Sequence, residues 1–451
     1  MTKMAGVVAM LVVMGMAAVG VGQVRVRVEA EEDVYRLDEA NNGAGAFWCF
    51  GSTCIGRVGD EVWASGLELI PGAKPLNNVT WVLWRRTSKG WEMVMRDQKE
   101  RTREPSPMGV FGDGSVLLSV NPTLTKMDEY AGPARPEILR FKGNEHATIL
   151  PVWEGKPKFT EHSYRSFVVD AERAEMILFQ NIGYTHAEWA FCDGQGRWTK
   201  AGKLLWPWGA EYARPEPIRV CYPTVQLKGR SVYWCGVSDI VEPNPEWREF
   251  KKKLTGRQWD YDFRRLFYTW CEDVTKGKFE PWVEIASREK TCGWVSPCDL
   301  LAEENGRVNV LWTERALDVR LREKFFPNET QSEALNWAVV QRGKVVMRRT
   351  ILEQKQGQAG ETPGRGQFKR TADGRLFVFF YVSGKNGGEN RVVELKRDGT
   401  VGEAVRVPLK KAMGTFFTAN ERGGTKVSDV IDVLGDGGRV VRYAKVRILD
   451  F

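Results

Sequence analysis

The chain has 451 residues, of which 42% are hydrophobic and 27% are charged. This apolar content is sufficient for a large buried core and excludes an intrinsically disordered chain. Only one apolar run is long enough to resemble a membrane span, which excludes a polytopic membrane protein. The formal net charge of +8 favours anionic partners without choosing among nucleic acid, acidic glycan and membrane surface.

The N-terminal segment, residues 1–22, is predicted to be a secretory signal peptide. One basic residue, Lys3, precedes an uncharged stretch, and small residues near its end would suit a signal peptidase. We therefore expect a secreted or periplasmic protein without membrane attachment after cleavage. An uncleaved N-terminal anchor is the alternative, because the apolar run is long for a signal peptide.

Eight cysteines are present, and export would permit disulfides among them. Two local pairs are candidates: Cys49 with Cys54 and Cys292 with Cys298. Buried thiols are expected at Cys221, Cys235 and Cys271, which lie in apolar strand patterns. The absence of any CxxC pair and the count of three histidines argue against a zinc-finger type of site. We predict no cofactor, although a structural calcium ion would be compatible with the sequence.

Pairs of short apolar runs joined by tight polar turns recur along the chain. One type of turn contains Gly, Asn or Asp, residues that tolerate positive φ, at 57–60, 112–114, 170–172, 228–229, 304–306, 373–374 and 435–438. A second type of hairpin alternates with the first, with turns at 88–90, 142–144, 193–196 and 276–277. Helical periodicity is almost absent, and the segment Pro245 to Leu254 is predicted to be a short helix. The alternation indicates repeated four-stranded units.

Six such units and a partial unit at 415–451 account for the chain. The partial unit offers three strands. Apolar and polar residues alternate in the stretch Val24 to Ala30, which is therefore expected to supply the fourth strand. This arrangement would leave no open sheet edge. We therefore predict an all-β, seven-bladed β-propeller over residues 23–451. Its blades would begin near residues 47, 105, 163, 221, 296, 367 and 415. Six or eight blades, or a propeller with an appended sandwich, are the alternatives.

The predicted propeller places polar residues on the face where propellers usually bind ligands, at the starts of innermost strands and in the loops between second and third strands. The candidate catalytic residues there are His162, Tyr164, His186, Asp239, Asp299 and Glu314. The candidate substrate-binding residues are Arg165, Tyr184, Arg219, Tyr222 and Arg315. Arg103, Glu104 and Glu242 belong to the same polar set. Each acid could instead form a structural ion pair with a loop arginine.

Two chemistries fit these residue types. In β-elimination from a uronic acid, an arginine neutralises the sugar carboxylate, and His or Tyr groups take one proton and give another. In glycoside hydrolysis, two carboxyl groups flank the bond that is cleaved, and Asp239, Asp299 and Glu314 are the candidates. The long loops after Ser238 and after Glu314 are further places for function, or they pack on each other or on a neighbouring subunit.

Nucleic acid is not an expected partner, because basic residues are scattered among acids and no phosphate-binding glycine motif occurs. No GxSxG nucleophile motif is present either. The expected partner is a poly- or oligosaccharide, and an acidic one agrees with the net charge. The oligomeric state is left without a prediction.

The chain resembles the secreted propellers of the BNR-repeat or sialidase-like group. The segment Phe191 to Trp198 keeps the Asp and Trp of the Asp-box, Ser-x-Asp-x-Gly-x-Thr-Trp, but misplaces its glycine and lacks both hydroxyl residues. A sialidase-like relationship implies an arginine cluster that binds a carboxylate, for which Arg165, Arg219 and Arg315 are the candidates. It also implies a Tyr–Glu nucleophile pair and an acidic catalyst.

A second resemblance concerns the sequence His162-Ser163-Tyr164-Arg165, which is similar to the pattern of ulvan and rhamnose–glucuronate lyases. It implies catalysis by His, Tyr and Arg. The predicted function is therefore that of a glycan-cleaving enzyme, either a sialidase-like glycoside hydrolase or a uronate lyase. A non-catalytic propeller that binds glycan or protein, or an anchored envelope protein, is the alternative.

Overall fold

The computed structural model describes residues 24–48, 52–97, 101–161 and 164–449. Seven four-stranded antiparallel sheets form a seven-bladed β-propeller, which confirms the predicted all-β fold. The predicted signal peptide lies outside the described residues. Within the described ranges, no helix has the length and apolar character needed to cross a membrane.

Blades 1 to 3 run from the innermost strand outwards in chain order. Blade 1 consists of Ile55–Val58, Glu61–Leu69, Val79–Thr87 and Gly90–Arg96. Blade 2 consists of Met108–Val110, Val116–Val120, Glu137–Lys142 and Glu145–Ile149. Blade 3 consists of Arg165–Asp170, Glu175–Ile182, His186–Cys192 and Trp198–Leu205.

Blades 4 to 6 repeat this arrangement with longer innermost strands. Blade 4 consists of Val220–Lys228, Ser231–Ser238, Arg265–Cys271 and Val283–Ser287. Blade 5 consists of Trp294–Ala302, Arg307–Arg315, Ser332–Gln341 and Lys344–Lys355. Blade 6 consists of Thr362–Arg370, Leu376–Gly384, Gly387–Leu395 and Val405–Val407.

Blade 7 joins the two ends of the chain. Its strands, from the inside outwards, are Phe416–Thr418, Val430–Asp436, Val440–Leu449 and Arg25–Arg36. The N-terminal strand pairs with its neighbour from Arg25 opposite Leu449 to Arg36 opposite Val440. The predicted closure of the ring by the N-terminal strand is therefore confirmed, and the strand is longer than the alternating stretch that predicted it.

Short elements decorate the connections between strands. Three two-stranded ribbons pair Pro133–Ala134 with Phe159–Thr160, Trp208–Gly209 with Glu216–Pro217, and Ile240–Val241 with Tyr261–Asp262. Helical segments are Pro245–Thr255, Val274–Lys276, Glu289–Thr291, Val319–Leu321, Arg322–Phe325 and Glu421–Gly423. The longest is the predicted helix: the Asn244 side chain caps its N-terminus, and Gly256 ends it at a φ of 69°.

The first strand of blade 1 differs from its prediction. The apolar stretch from Phe47 to Ile55 suggested a strand, but the strand begins only at Ile55. Phe47 packs from the connecting segment against Phe417 at a ring-centroid distance of 5.4 Å, and Cys54 is fully buried. Phe47 and Cys54, which were expected in a strand, therefore lie in the segment that precedes it.

The core lies between adjacent blades. Trp63, Trp234 and Trp312 are among its large buried side chains. Cys221, Cys235 and Cys271 are buried and form no disulfide, as predicted.

The predicted disulfide between Cys292 and Cys298 is wrong, because both are buried free thiols. The Cys292 sulfur accepts a hydrogen bond from the Arg264 guanidinium at 3.0 Å, whereas Cys298 lies within the innermost strand of blade 5 and bonds to the Ser296 carbonyl. The two cysteines are close in sequence because Cys292 lies just before the strand that contains Cys298, and no disulfide joins them. The other candidate pair includes Cys49, which lies outside the described residues.

A connection of blade 7, residues 419–429, lies across one end of the central channel. Its turn at Glu421–Gly423 contacts the innermost strands of blades 2, 3 and 4. Arg422 donates to Asp299 Oδ1 on blade 5 at 2.6 Å. The opposite end of the channel, where the innermost strands begin, holds the polar residues singled out above.

The closure of the ring predicts a specific pH dependence of stability. Glu29, on the N-terminal strand, pairs with Arg447 at 2.5 Å and with Lys445 at 2.9 Å. The Arg447 hydrogen bond, with smaller effects of Lys445 and Arg27, lowers the pKa of Glu29 from 4.5 to about 2 despite partial burial. Because the folded pKa is depressed, this stabilisation is present above pH 4.5 and is lost as the pH falls toward 2.

We expect Glu29→Gln to lower the free energy of unfolding by about 1 kcal/mol or less at neutral pH, since the site is partly solvated. The difference from the unmodified chain should shrink to zero between pH 4.5 and 2, measured by thermal unfolding. Glu145→Gln, an exposed change in blade 2, is the control and should show no such trend. A pH-independent difference at Glu29 would contradict the ionic origin of the effect.

Candidate functional site

Arg219 and Asp239 form the centre of the site, at the channel mouth in blade 4. Arg219 precedes the innermost strand and Asp239 follows the second strand, so the antiparallel pairing continues through them, with Asp239 N–H donating to the Arg219 carbonyl at 2.8 Å. Arg219 Nε donates to the Asp239 carbonyl at 2.8 Å, and Nη2 lies 3.0 Å from Asp239 Oδ1. Burial raises the pKa of Asp239 above its ordinary value, against the opposing effect of Arg219. The guanidinium is therefore held in one fixed orientation.

Tyrosine rings surround the Arg219 guanidinium. Its central carbon lies 3.9 Å from the centroid of the Tyr184 ring, 5.6 Å from that of Tyr261 and 5.8 Å from that of Tyr164. The hydroxyls of Tyr184 and Tyr261 are 2.9 Å apart. Burial, followed by the hydrogen bond to Tyr261, raises the pKa of Tyr184 to about 12. The result is a cation packed against an aromatic wall.

Two phenols meet beside this wall. The hydroxyl oxygens of Tyr164 and Tyr222 are 3.4 Å apart, and their rings contact at a centroid distance of 5.1 Å. Burial raises the pKa of both groups, so both remain protonated at neutral pH. Tyr222 has a φ of 53°, a left-handed conformation that is strained for a bulky residue. An irregularity in the strand pairing between Cys221 and Thr224 accompanies it.

A buried carboxyl group lies on the blade 2 side of the mouth. Glu104 is almost fully buried, and its Oε1, 3.8 Å from Arg103 Nη1, accepts no hydrogen bond from the described residues. Burial raises the pKa of Glu104 against the effects of Arg165 and Arg103. Arg165 donates from Nη2 to the Pro105 carbonyl at 2.7 Å. Arg165 is therefore tied to blade 2, whereas Arg219 faces the mouth.

An aromatic row continues from the phenols to the rim at blade 5. Phe263 lies 5.9 Å from Tyr222 and 4.6 Å from Trp294, measured between ring centroids. Trp48 also contacts Tyr222, edge to face, at a ring-centroid distance of 5.9 Å. The Arg315 guanidinium lies over the Trp294 ring at 5.5 Å. The mouth is thus lined by aromatic side chains with a cation at each end of the row.

The structure brings together five of the predicted site residues, and these are Tyr164, Tyr184, Arg219, Tyr222 and Asp239. His162 lies outside the described residues. No group of three or more potential metal ligands of the His, Cys, Asp and Glu types occurs among the residues that the structure describes.

His186 lies apart from this group. In the sheet of blade 3 it is opposite Ile182 and shares a face with Gln180, which bonds to Asn121 of blade 2 at 3.2 Å. Asn181, on the other face, contacts blade 4. The two ring nitrogens of His186 lie 2.7 Å from Thr185 Oγ1 and 3.0 Å from Glu188 Oε1. Its contacts are therefore those of a structural residue of blade 3.

The acids predicted in blade 5 are engaged in structural contacts. Asp299 accepts hydrogen bonds from the Leu300 N–H at 2.8 Å, the Phe368 N–H at 2.7 Å and Arg422. Glu314 pairs with Arg288 through Oε1 and accepts from Trp312 Nε1 at 2.9 Å through Oε2. No contact joins either acid to Asp239, so the three carboxyl groups are not a set.

The two long loops pack on each other, as one of the alternatives predicted. Trp247 contacts Phe326 and Phe250 contacts Phe325, at ring-centroid distances of 5.5 and 5.4 Å. Beneath them the buried Glu242 accepts from Arg264 at 2.8 and 2.9 Å and from Lys251 at 2.7 Å. Although burial opposes it, these cations lower the pKa of Glu242 to about 2.

Four aromatic residues of the mouth were missed by the sequence analysis, and these are Trp48, Tyr261, Phe263 and Trp294. A signal was present for two of them, because Tyr261 and Phe263 belong to an aromatic-rich stretch in a long loop of the binding face. Trp48 and Trp294 could not be recognised as site residues from the sequence, because each lies within or at the edge of a pattern that was interpreted as a strand.

Comparisons with known proteins agree with the fold. No protein-family model and no curated protein matches the sequence. Among solved structures, the chain is similar to a PL25 ulvan lyase bound to -[GlcA(1-4)Rha3S]-, with 7% identity, coverage of 92% of this chain and 95% of that one, and a TM-score of 0.55. It is also similar to the polysaccharide lyase Uly1, with 11% identity, 94% coverage of each chain and a TM-score of 0.51. At these identities the similarity shows the fold alone, and membership of the BNR-repeat group stays a prediction.

Proposed function

We propose that this propeller is a glycan-cleaving enzyme that acts outside the cytoplasm and cleaves uronate-containing polysaccharide by β-elimination. The observation that carries the proposal is the pair of phenol hydroxyls of Tyr164 and Tyr222, 3.4 Å apart, beside the fixed guanidinium of Arg219. These are the group types that an elimination requires. One protein of similar fold is described with a bound glucuronate-containing glycan.

Arg219 would bind the carboxylate of the sugar that loses a proton. A guanidinium that pairs with this carboxylate stabilises the negative charge that develops when the neighbouring C5–H bond breaks. Asp239 and the wall of tyrosines hold the guanidinium before substrate arrives, so little reorganisation accompanies the reaction. The Arg219 Nη1 group makes no hydrogen bond within the described ranges, which leaves a donor for the substrate.

Two proton transfers complete the reaction. We assign removal of the C5 proton to His162, on the grounds of the sequence alone, since it precedes Tyr164 by two residues. The electron pair of the C5–H bond then forms the C4–C5 double bond as the bond from C4 to the glycosidic oxygen breaks. Tyr164 gives its proton to that oxygen. The Tyr222 hydroxyl and the Arg219 charge stabilise the phenolate that remains, and the proton held by His162 restores it.

Hydrolysis is supported less well by the same geometry. It requires two carboxyl groups on either side of the cleaved bond, separated by about 5–10 Å. Asp299 and Glu314 are occupied by backbone, arginine and indole donors in blade 5. Of the three carboxyl groups predicted for hydrolysis, only Asp239 lies at the mouth with the phenols and the guanidinium, so these groups support elimination better.

A screen of acidic polysaccharides tests the proposal. The full chain is incubated with ulvan, alginate, polygalacturonate and chondroitin sulfate, and the ultraviolet absorbance of unsaturated uronate is followed together with reducing ends. We expect both signals to rise on at least one substrate. Arg219→Ala should lower the rate about 10²–10³-fold, the cost of removing one charge-stabilising group. Arg197→Ala, in a turn at the opposite face, is the control and should leave the rate unchanged.

Other outcomes would contradict the proposal in distinct ways. Reducing ends without unsaturated product would mean hydrolysis. Binding of a glycan without either signal would identify a non-catalytic binding propeller. Full activity of Arg219→Ala would mean that the reaction takes place elsewhere on the molecule.

A further inference from the structure

We propose that Trp294 and Arg315 form a second glycan subsite, which binds an anionic sugar of the same chain beyond the sugar held at Arg219. The inference rests on the proposed function and deepens it, because it assigns a minimum substrate length and a second negative charge. It would make the protein selective for long acidic chains over short fragments.

The two side chains are placed together by the sheet of blade 5. Trp294 begins the innermost strand and lies directly opposite Arg315 in the antiparallel register, so both side chains project from the same face. The guanidinium lies 5.5 Å from the indole centroid. Trp294 is 38% exposed despite its size, and Arg315 is also exposed. A large apolar ring is thus presented to solvent with a cation beside it.

Arg315 has unused capacity for an anion. Its neighbour Glu314 points to the other face and is taken by Arg288 and by Trp312. Within the described residues the Arg315 side chain forms no hydrogen bond or ion pair, although most arginine side chains of this protein do. Its fixed fork of N–H donors suits a carboxylate or a sulfate ester, and the stacking on the indole restricts its motion.

The subsite is continuous with the mouth. The Val295 N–H donates to the Phe263 carbonyl at 2.7 Å, which fixes Phe263 against Trp294. Phe263 in turn contacts Tyr222, whose hydroxyl meets that of Tyr164. A single ring, that of Phe263, therefore separates the exposed indole from the phenol pair. Pyranose rings present apolar C–H faces, so one glycan chain could follow this aromatic row.

The ligand chemistry follows from these parts. The indole would pack against a sugar face, while Arg315 would pair with a charged substituent of the same sugar. Such a substituent is a ring carboxylate or a sulfate ester, and both supply the oxygen pair that a guanidinium binds. A disaccharide held at Arg219 would not reach the subsite, whereas a longer acidic oligosaccharide would occupy both positions.

The test measures binding of oligosaccharides of two lengths by calorimetry. Tetrasaccharides and disaccharides are prepared from ulvan and from polygalacturonate, and the full chain carries Tyr164→Phe so that the ligands stay intact. We expect Trp294→Ala and Arg315→Gln each to raise the Kd for the acidic tetrasaccharide about tenfold. The Kd for the disaccharide should not change, which also shows that the variants are folded. Trp208→Ala, an exposed indole in another connection, is the control and should change neither value.

Each result has one meaning. If Arg315→Gln loses affinity only for sulfated ligands, the group bound by Arg315 is a sulfate ester. If it loses affinity equally for unsulfated uronate ligands, the group is a carboxylate. An unchanged tetrasaccharide Kd in Trp294→Ala would overturn the subsite but not the proposed function. If tetrasaccharide binding requires Trp294 but the unmodified chain cleaves no glycan, the proposed function is overturned and the subsite is not. No binding of any acidic glycan would overturn both.

Discussion

Tyr164→Phe is expected to lower kcat on an acidic polysaccharide about 10²–10⁴-fold, the range for removal of a group that transfers a proton in the transition state. The change removes only the hydroxyl oxygen, which lies 3.4 Å from that of Tyr222. Burial holds the pKa of Tyr164 above its ordinary value, so the phenol is available as a proton donor at neutral pH. Initial rates on the substrate found in the screen measure the effect.

The melting temperature should be nearly unchanged in the same variant, because the ring and its packing against Tyr222 remain. Tyr130→Phe, a change at an exposed tyrosine of blade 2, is the matched control and should keep full activity. A Tyr164→Phe protein that retains its rate would show that the phenol does not transfer the proton. A protein that no longer folds would assign Tyr164 to the scaffold.

Glu242→Gln is expected to lower the free energy of unfolding by about 3–5 kcal/mol at neutral pH, because it removes the carboxylate that lies closest to two buried cations. Glu242 is the shared partner of Arg264 and Lys251, and all three side chains are buried. Glutamine preserves the shape of the side chain, so the loss comes from the charge. Urea unfolding of both proteins at neutral pH measures it.

Glu249→Gln is the control for this change, since Glu249 is exposed on the same helix and should alter stability by no more than a few tenths of a kcal/mol. A loss below about 1 kcal/mol at Glu242 would mean that water or rearrangement compensates the buried charges. The result bears on function because the same loop carries Tyr261 and Phe263 to the mouth.

Much of the fold follows from local patterns. Turns with Gly, Asn or Asp between apolar runs predicted hairpins, and the N-terminal alternating stretch predicted the strand that closes blade 7. The first strand of blade 1 could not be placed in this way, because Phe47 is half-buried against the distant Phe417, and the fully buried Cys54 bonds to the distant Ser106 carbonyl. Burial alone does not distinguish a strand from a connection that crosses the core.

The site was predictable only in part, for a related reason. Arg219 and Asp239 flank one hairpin, so their pairing follows from the register of two neighbouring strands. His186 was expected beside Tyr184, but Tyr184 lies in the turn before the strand, whereas His186 is the first residue of the strand and faces blade 2. The left-handed backbone of Tyr222 and the contact of Phe263 with Trp294 depend on the assembled blades.

The reaction type is tested most directly by the origin of the oxygen atoms in the product. The full chain is incubated with its acidic polysaccharide in water enriched in the heavy isotope of oxygen, and the masses of the oligosaccharides formed are measured by mass spectrometry. Elimination adds no solvent oxygen and leaves an unsaturated sugar at one end, so we expect unlabelled unsaturated products in short reactions, before the reducing-end oxygen exchanges with water. Saturated products that carry one heavy oxygen at each new reducing end would contradict β-elimination and make the enzyme a hydrolase.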